Sequence, residues 1–211
     1  MKSKIKKTNK LDYRWLHESH HTPGIIPGIK KVLAKINTKK LNHIDIGCGN
    51  GFITKKISDN FKATIGIDLS KEGIAFANKK KNKKKIKFYN KNTSFFIKNR
   101  KKFDFVTSIE VIEHQYDPFK FMSEIEKVTK KNGFAMITTP FHGYFKNLLI
   151  SLLGLTDSHV NVLWKHGHIK FFSVKSLKKL IERYNFEIID INFAGRFYPL
   201  SSSMIFLLKK K

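Results

Sequence analysis

An apolar run, Leu41 to Ile46, leads directly into Asp45-Ile46-Gly47-Cys48-Gly49-Asn50-Gly51 and then into a helix-like segment, Phe52 to Ile57. No other stretch constrains the chain as much. A strand that meets three alternating glycines before a helix lets the backbone approach a ligand more closely than any Cβ would allow. The expected unit is strand, turn and helix, with a ligand at the turn.

The glycine spacing separates two ligand classes. Dinucleotide sites favour GxGxxG, with a pyrophosphate on the helix N-terminus. Here the spacing is GxGxG, and Asp45 precedes the first glycine by two residues. A carboxylate there repels a pyrophosphate but suits a ligand with a cationic amino group and no phosphate, as in S-adenosylmethionine. A second acid, Asp68, ends the next apolar run, Ala63 to Ile67, at a spacing of 23 residues (68 − 45). An acid at the tip of the second strand can accept from both ribose hydroxyls, with Leu69 beside it.

At 211 residues the chain is long enough for one domain with a full core. The lone Cys48 excludes a disulfide framework and fits a reducing, cytoplasmic setting. The basic N-terminus lacks an apolar follow-on, and no run reaches the length of a membrane span. The formal charge of +26 invites nucleic acid as a partner, yet only four of the 42 basic residues are Arg (Arg14, Arg100, Arg183, Arg196). Arg is the residue suited to bidentate phosphate and base contacts, so the lysine-rich charge reads first as composition bias and nucleic acid is not the favoured partner.

Apolar runs alternate with amphipathic segments, which predicts an α/β, doubly wound, Rossmann-like and mostly parallel sheet. Strands are expected near 42–46, 63–68, 86–89, 104–109, 133–139, 186–193 and 203–208. A helix should begin at Asp117-Pro118 and run to about Lys131, and another from Gly28. Residues 1–39 read as a cap segment with its helix and 40–211 as the main domain. Within it, a long insertion at about 140–172 reads as a substrate lid. The lid carries Tyr144, Phe145, Trp164, His166 and His168 as candidate acceptor-pocket residues, and its stretch Leu148 to Leu155 reads either as lid core or as a helix touching a membrane.

Chemistry is expected at Glu110-Val111-Ile112-Glu113-His114. Turned helically, Glu110, Glu113 and His114 fall at i, i+3 and i+4 and project to one side. Two carboxylates and an imidazole form a site for a divalent cation, Mg²⁺ or Mn²⁺, with a further ligand available from His142, His159, His166 or His168 of the lid. Such a cation lowers the pKa of an acceptor hydroxyl; without one, His114 serves as general base. The competing reading gives Glu110 to the cofactor edge and leaves Glu113 and His114 to orient the loop.

These residues resemble the class I S-adenosylmethionine-dependent methyltransferases. DIGCGNG is similar to the family's first motif, GIDLS at 66–70 to its second, and EVIEHQYDP with KNGFAMITTP to the segments after strand four and at strand five. The resemblance implies a seven-stranded sheet whose last strand is antiparallel. It also implies Gly47, Gly49 and Gly51 along the methionine moiety, Asp45 near its amino group and Asp68 on the ribose. Where the family commonly has an acid for the adenine amino group, this chain has Asn92 or Asn90. The ExxEH run is similar to that of the ubiquinone-pathway O-methyltransferases and the small-RNA 2′-O-methyltransferases, both linked to divalent metals. The expected function is methyl transfer to a hydroxyl of a small or lipid-like acceptor. RNA 2′-O-methylation and a noncatalytic S-adenosylmethionine-binding module are the alternatives.

Overall fold

A computed structural model of the chain describes residues 22–79, 84–156 and 167–211. Seven strands form one sheet: β1 (Asn42–Ile46), β2 (Ala63–Ile67), β3 (Ile86–Tyr89), β4 (Phe103–Ile109), β5 (Thr129–Pro140), β6 (Phe186–Ala194) and β7 (Ser203–Lys210). Their order is β3-β2-β1-β4-β5-β7-β6. All neighbours are parallel except β7, which runs antiparallel to both β5 and β6. This is the α/β sheet with an antiparallel last strand that the sequence leads one to expect. Parallel strands need crossovers, and here helices supply them, whereas β6 and β7 are joined by a short connection because they are antiparallel.

Helices cover both faces. On one, α1 (Thr22–Leu33) and α2 (Phe52–Ile57) bury Ile25, Ile29, Val32, Leu33 and Ile57 against Phe105, Met136, Ile205 and Leu207. At the same sheet's edge, α3 (Lys71–Lys79) packs Ile74 and Ala77 on Ile86 and Phe88. On the other face, α4 (Thr93–Lys98), α5 (Pro118–Val128) and α7 (Val174–Ile181) pack Phe96, Phe121, Ile125, Leu177 and Ile181 against Ile44, Val106, Ile137 and Phe206. A sheet buried on both sides needs apolar residues at every position, not at alternate ones, and β7 shows it: all six residues from Ser203 to Leu208 are buried.

Two helix boundaries differ from expectation. The α1 helix begins at Thr22, not Gly28, and carries Pro27 within it. Gly28 is where it meets the sheet: a Cβ there would lie 2.7 Å from Cβ of Ala194. The α5 helix starts as expected, with Asp117 accepting from the Lys120 amide and Pro118 in the first turn, but stops at Val128. Thr129 takes an extended conformation there, its hydroxyl donating to the Ile125 carbonyl at 2.6 Å, and β5 begins three residues before the expected stop at Asn132-Gly133.

Candidate active site

The glycine turn follows β1 at the carboxyl edge of the parallel strands. Gly47, Gly49 and Gly51 have φ of 77°, 53° and 74°, a region that glycine enters without steric cost. Space is also limiting. A Cβ on Gly47 would fall 2.5 Å from Cγ2 of Val111, and one on Gly51 would fall 2.6 Å from Cζ of Phe88. Val111 lies between Glu110 and Glu113, so the glycine turn and the acidic segment after β4 pack into one site.

Asp68 holds the turn closed. Its Oδ2 accepts from the Gly49 amide at 2.8 Å and its Oδ1 from the Ser70 amide at 2.7 Å. The next residue, Leu69, is 71% exposed, which leaves an apolar side chain beside the turn. The Asn90 amide donates to the carbonyls of Asp68 and Leu69, at 2.9 Å each. Asn92, the candidate for the adenine amino group, caps α4, its side-chain oxygen accepting from the Phe95 amide at 3.2 Å.

Asp45, expected near the amino group of the methionine moiety, lies beneath the turn. It is 2% exposed, and its two oxygens accept from Thr107 at 2.6 Å and Thr54 at 2.5 Å. Since the Thr107 hydroxyl donates to Asp45, it accepts from His43 Nε2 at 2.8 Å, and His43 Nδ1 then accepts from Thr64 at 3.2 Å. Burial lowers His43 from 6.5 to about 3 and keeps it neutral. Burial raises Asp45 from 3.8 to about 6, against the lowering effect of its two threonine hydrogen bonds. This polar chain beneath the turn was missed from sequence. Alternation along β1 puts His43 and Asp45 on one face, but the threonines that complete it come from β2, α2 and β4.

After β4 the chain does not form the α-helical turn expected for residues 110–114. Glu110 has a φ of 55°, and only Ile112–His114 form a turn of 3-10 helix. Side chains meant for one face therefore diverge. Glu110 points toward β5 and β7, accepting from Thr138 at 2.8 Å and Ser203 at 3.3 Å. Burial pushes its carboxyl up to about 7, while those hydrogen bonds and the Lys146 charge pull the other way. Glu113 is fully buried; its Oε2 accepts from Thr139 at 3.0 Å, while Oε1 has no hydrogen-bond partner and lies 3.9 Å from His114 Nε2. Burial first, and the nearby Glu110 second, hold Glu113 well above the usual carboxylate range.

His168 supplies the third member of the cluster. The ring of His168 lies 5.0 Å from that of His114, and one ligand atom each from Glu113, His114 and His168 fall within 4.8 Å of one another. Glu110 is not in this set, so His168 takes the place expected for it. A buried carboxylate oxygen without a donor, facing two imidazoles, fits a divalent cation, and the donor set suits Mn²⁺, Fe²⁺ or Zn²⁺ better than Mg²⁺. Next to His168, the Ile169 and Lys170 amides donate to the Glu113 carbonyl at 3.0 and 2.9 Å.

Of the expected acceptor-pocket residues, Tyr144 is 75% exposed, with its ring against Phe145 at 5.4 Å. Trp164 and His166 lie outside the described residues. Lys146 was not anticipated. On α6 (Tyr144–Leu152) it is the buried residue, donating to the Phe141 carbonyl at 2.8 Å, while Phe145, Leu148, Leu149 and Leu152 on the same helix are exposed.

A profile of the methyltransferase domain family matches residues 18–191. The chain belongs to that family. Two curated relatives are the ubiquinone biosynthesis O-methyltransferase of Pelagibacter ubique and the mitochondrial enzyme of that name from Dictyostelium discoideum. They are 35% and 28% identical over 55% and 72% of this chain, and over 48% and 51% of their own. The chain thus spans about half the length of these two relatives. Among solved structures, magnesium protoporphyrin IX methyltransferase from Synechocystis with bound S-adenosylhomocysteine is similar in fold (TM-score 0.68, 15% identity, 88% of this chain and 83% of that one). No helix among the described residues is long and apolar enough to cross a membrane.

Proposed function

We propose that the protein transfers a methyl group from S-adenosylmethionine to a hydroxyl oxygen of a small or lipid-like acceptor. The observation that carries this reading is the packing of Val111 against Gly47, which joins the donor turn to the Glu113, His114 and His168 cluster. The names of the relatives, O-methyltransferases of ubiquinone biosynthesis, support an oxygen acceptor.

In this reading Gly47, Gly49 and Gly51 admit the methionine moiety, and Asp68 keeps lone pairs for the ribose hydroxyls after accepting from Gly49 and Ser70. Asp45 acts from beneath the turn, fixing α2 to β4 through Thr54 and Thr107. The acceptor oxygen attacks the methyl carbon in line, the carbon–sulfur bond breaks to leave a neutral thioether, and the hydroxyl proton passes to His114 as general base. Glu113, His114 and His168 would hold a divalent cation, whose contribution when bound is to acidify the acceptor hydroxyl. The lid at 140–172 would enclose the acceptor, and the exposed apolar residues of α6 suit a lipid-like molecule or contact with a bilayer surface.

Transfer of label from methyl-labelled S-adenosylmethionine to a panel of phenols, catechols and aliphatic alcohols tests the reaction. Methyl ethers are expected. Label found only on nitrogen acceptors or on RNA, or no binding of S-adenosylmethionine in calorimetry, would overturn the reading.

A further inference from the structure

Beyond the methyl-transfer site, a groove of about 410 Å³ opens between α5 and α7, lined by Tyr116, Phe119, Lys170, Phe172, Lys179 and Arg183 among others. It begins where the reactive cluster ends. Tyr116 is two residues past His114, Lys170 is two past His168, and the Lys170 amide donates to the Glu113 carbonyl at 2.9 Å.

The lining is sorted by chemistry. Phe172 and Leu180, both buried, make an apolar floor. The aromatic wall is open, with Tyr116 89% exposed and Phe119 48% exposed. Lys170, Lys179 and Arg183 form the rim, and the Arg183 guanidinium is steadied over the Phe119 ring at 5.1 Å from its centroid. One carboxylate shares the groove, that of Asp117, and its Oδ1 is engaged in starting α5 by accepting from the Lys120 amide at 2.9 Å. Three cations against one carboxylate leave a net charge of +2 (3 − 1) in the groove. The ion pairs formed among the described residues involve none of the three cations. Cations beside exposed rings over an apolar floor recognise an anionic group attached to an apolar body.

We infer that this groove is a subsite for an anionic group, a carboxylate or a phosphate ester, which the acceptor carries away from its reacting hydroxyl. The inference rests on the methyl-transfer reading for the identity of its ligand as acceptor. It deepens that reading by making the acceptor an amphipathic anion. The shared chemistry of carboxylate and phosphate is what the rim reads; a doubly charged phosphate ester should gain more from three cations than a carboxylate does.

The test uses the full chain and the variants Lys179→Gln and Arg183→Gln, alone and together. Both side chains are exposed, so the fold should survive. Binding of phenyl phosphate and of benzoate is followed by amide NMR shifts, a readout that needs no turnover. Shifts are expected at Tyr116, Phe119 and Lys170, with at least tenfold weaker binding in the double variant and unchanged affinity for S-adenosylmethionine. In turnover, the double variant should raise KM at least tenfold for a carboxylated or phosphorylated phenol and leave KM for its neutral counterpart unchanged. Which anion loses more identifies the natural group. Equal binding in wild type and double variant, shifts confined elsewhere, or an equal KM rise for charged and neutral acceptors would overturn the inference. So would displacement of phenyl phosphate by a single-stranded oligonucleotide with a salt dependence of several phosphates, which would assign the groove to nucleic acid. Failure of methyl transfer with every acceptor, alongside intact anion binding, would count against the methyl-transfer reading alone.

Discussion

The polar chain under the glycine turn holds two opposed proton-linked contributions to stability, and Asp45→Asn should remove one of them. His43 titrates at about 3 when folded against 6.5 when unfolded, so its contribution is present above pH 6.5 and is lost as pH falls toward 3. Asp45 works in the opposite sense: raised from 3.8 to about 6, its contribution is fully present below pH 3.8 and is lost as pH rises through 6. Between pH 8 and pH 5, linkage gives a loss of about 2 kcal/mol from His43 and a gain of about 1.4 kcal/mol from Asp45, a net loss of only about 0.6 kcal/mol. In Asp45→Asn the gain disappears, and the fall between those pH values should be steeper than in wild type by about 1.4 kcal/mol. Asparagine can still accept from Thr107 and donate to Thr54, so the geometry survives. Urea unfolding followed by circular dichroism at the two pH values measures the difference, and carboxylates common to both proteins, Glu110 and Glu113 included, cancel from it. His43→Phe, which keeps a ring against Phe61, should respond in reverse and lose less stability in acid than wild type. Parallel pH profiles for wild type and Asp45→Asn, within about 0.3 kcal/mol, would refute the argument.

Other consequences follow from the site. Gly47→Ala places a Cβ against Val111 at a φ of 77°, and S-adenosylmethionine affinity measured by calorimetry should fall at least tenfold; Gly47→Ala with Val111→Ala should recover part of the loss by removing the clash while leaving the backbone strain of about 1 kcal/mol. Asp68→Ala frees the Gly49 and Ser70 amides and removes the proposed ribose acceptor, so donor binding should weaken at least tenfold while the unfolding midpoint shifts only slightly. Glu113→Gln and His168→Ala should each lower the Mn²⁺ or Zn²⁺ retained after dialysis, read by elemental analysis, whereas Glu110→Gln should lower it less because Glu110 lies outside the cluster. Lys146→Met removes the donor to the Phe141 carbonyl and the cation that opposes the rise at Glu110, so the unfolding midpoint should fall, read by thermal denaturation.

The strands were legible because each is a short apolar run ended by glycine or a polar cluster, and all seven expected segments overlap the observed ones. The glycine turn was equally plain, since positive φ and close approach admit few residue types. Spacing misled at Glu110. Sequence separation predicts a shared face only if the backbone stays helical, and a φ of 55° at Glu110 turns that carboxyl toward Thr138 and Ser203 instead.

Sequence by itself therefore determined the sheet, the glycine turn and the residue types available for chemistry, because those depend on local periodicity and on steric demands made residue by residue. Tertiary structure decided which of those residues meet. Asp45 became a buried partner of Thr54 and Thr107, His168 joined Glu113 and His114 from 54 positions away (168 − 114), and Lys146 turned inward while its apolar neighbours faced out. Such meetings depend on long-range packing and on how many carboxylates and cations can share one buried volume, quantities that no local pattern in the chain encodes.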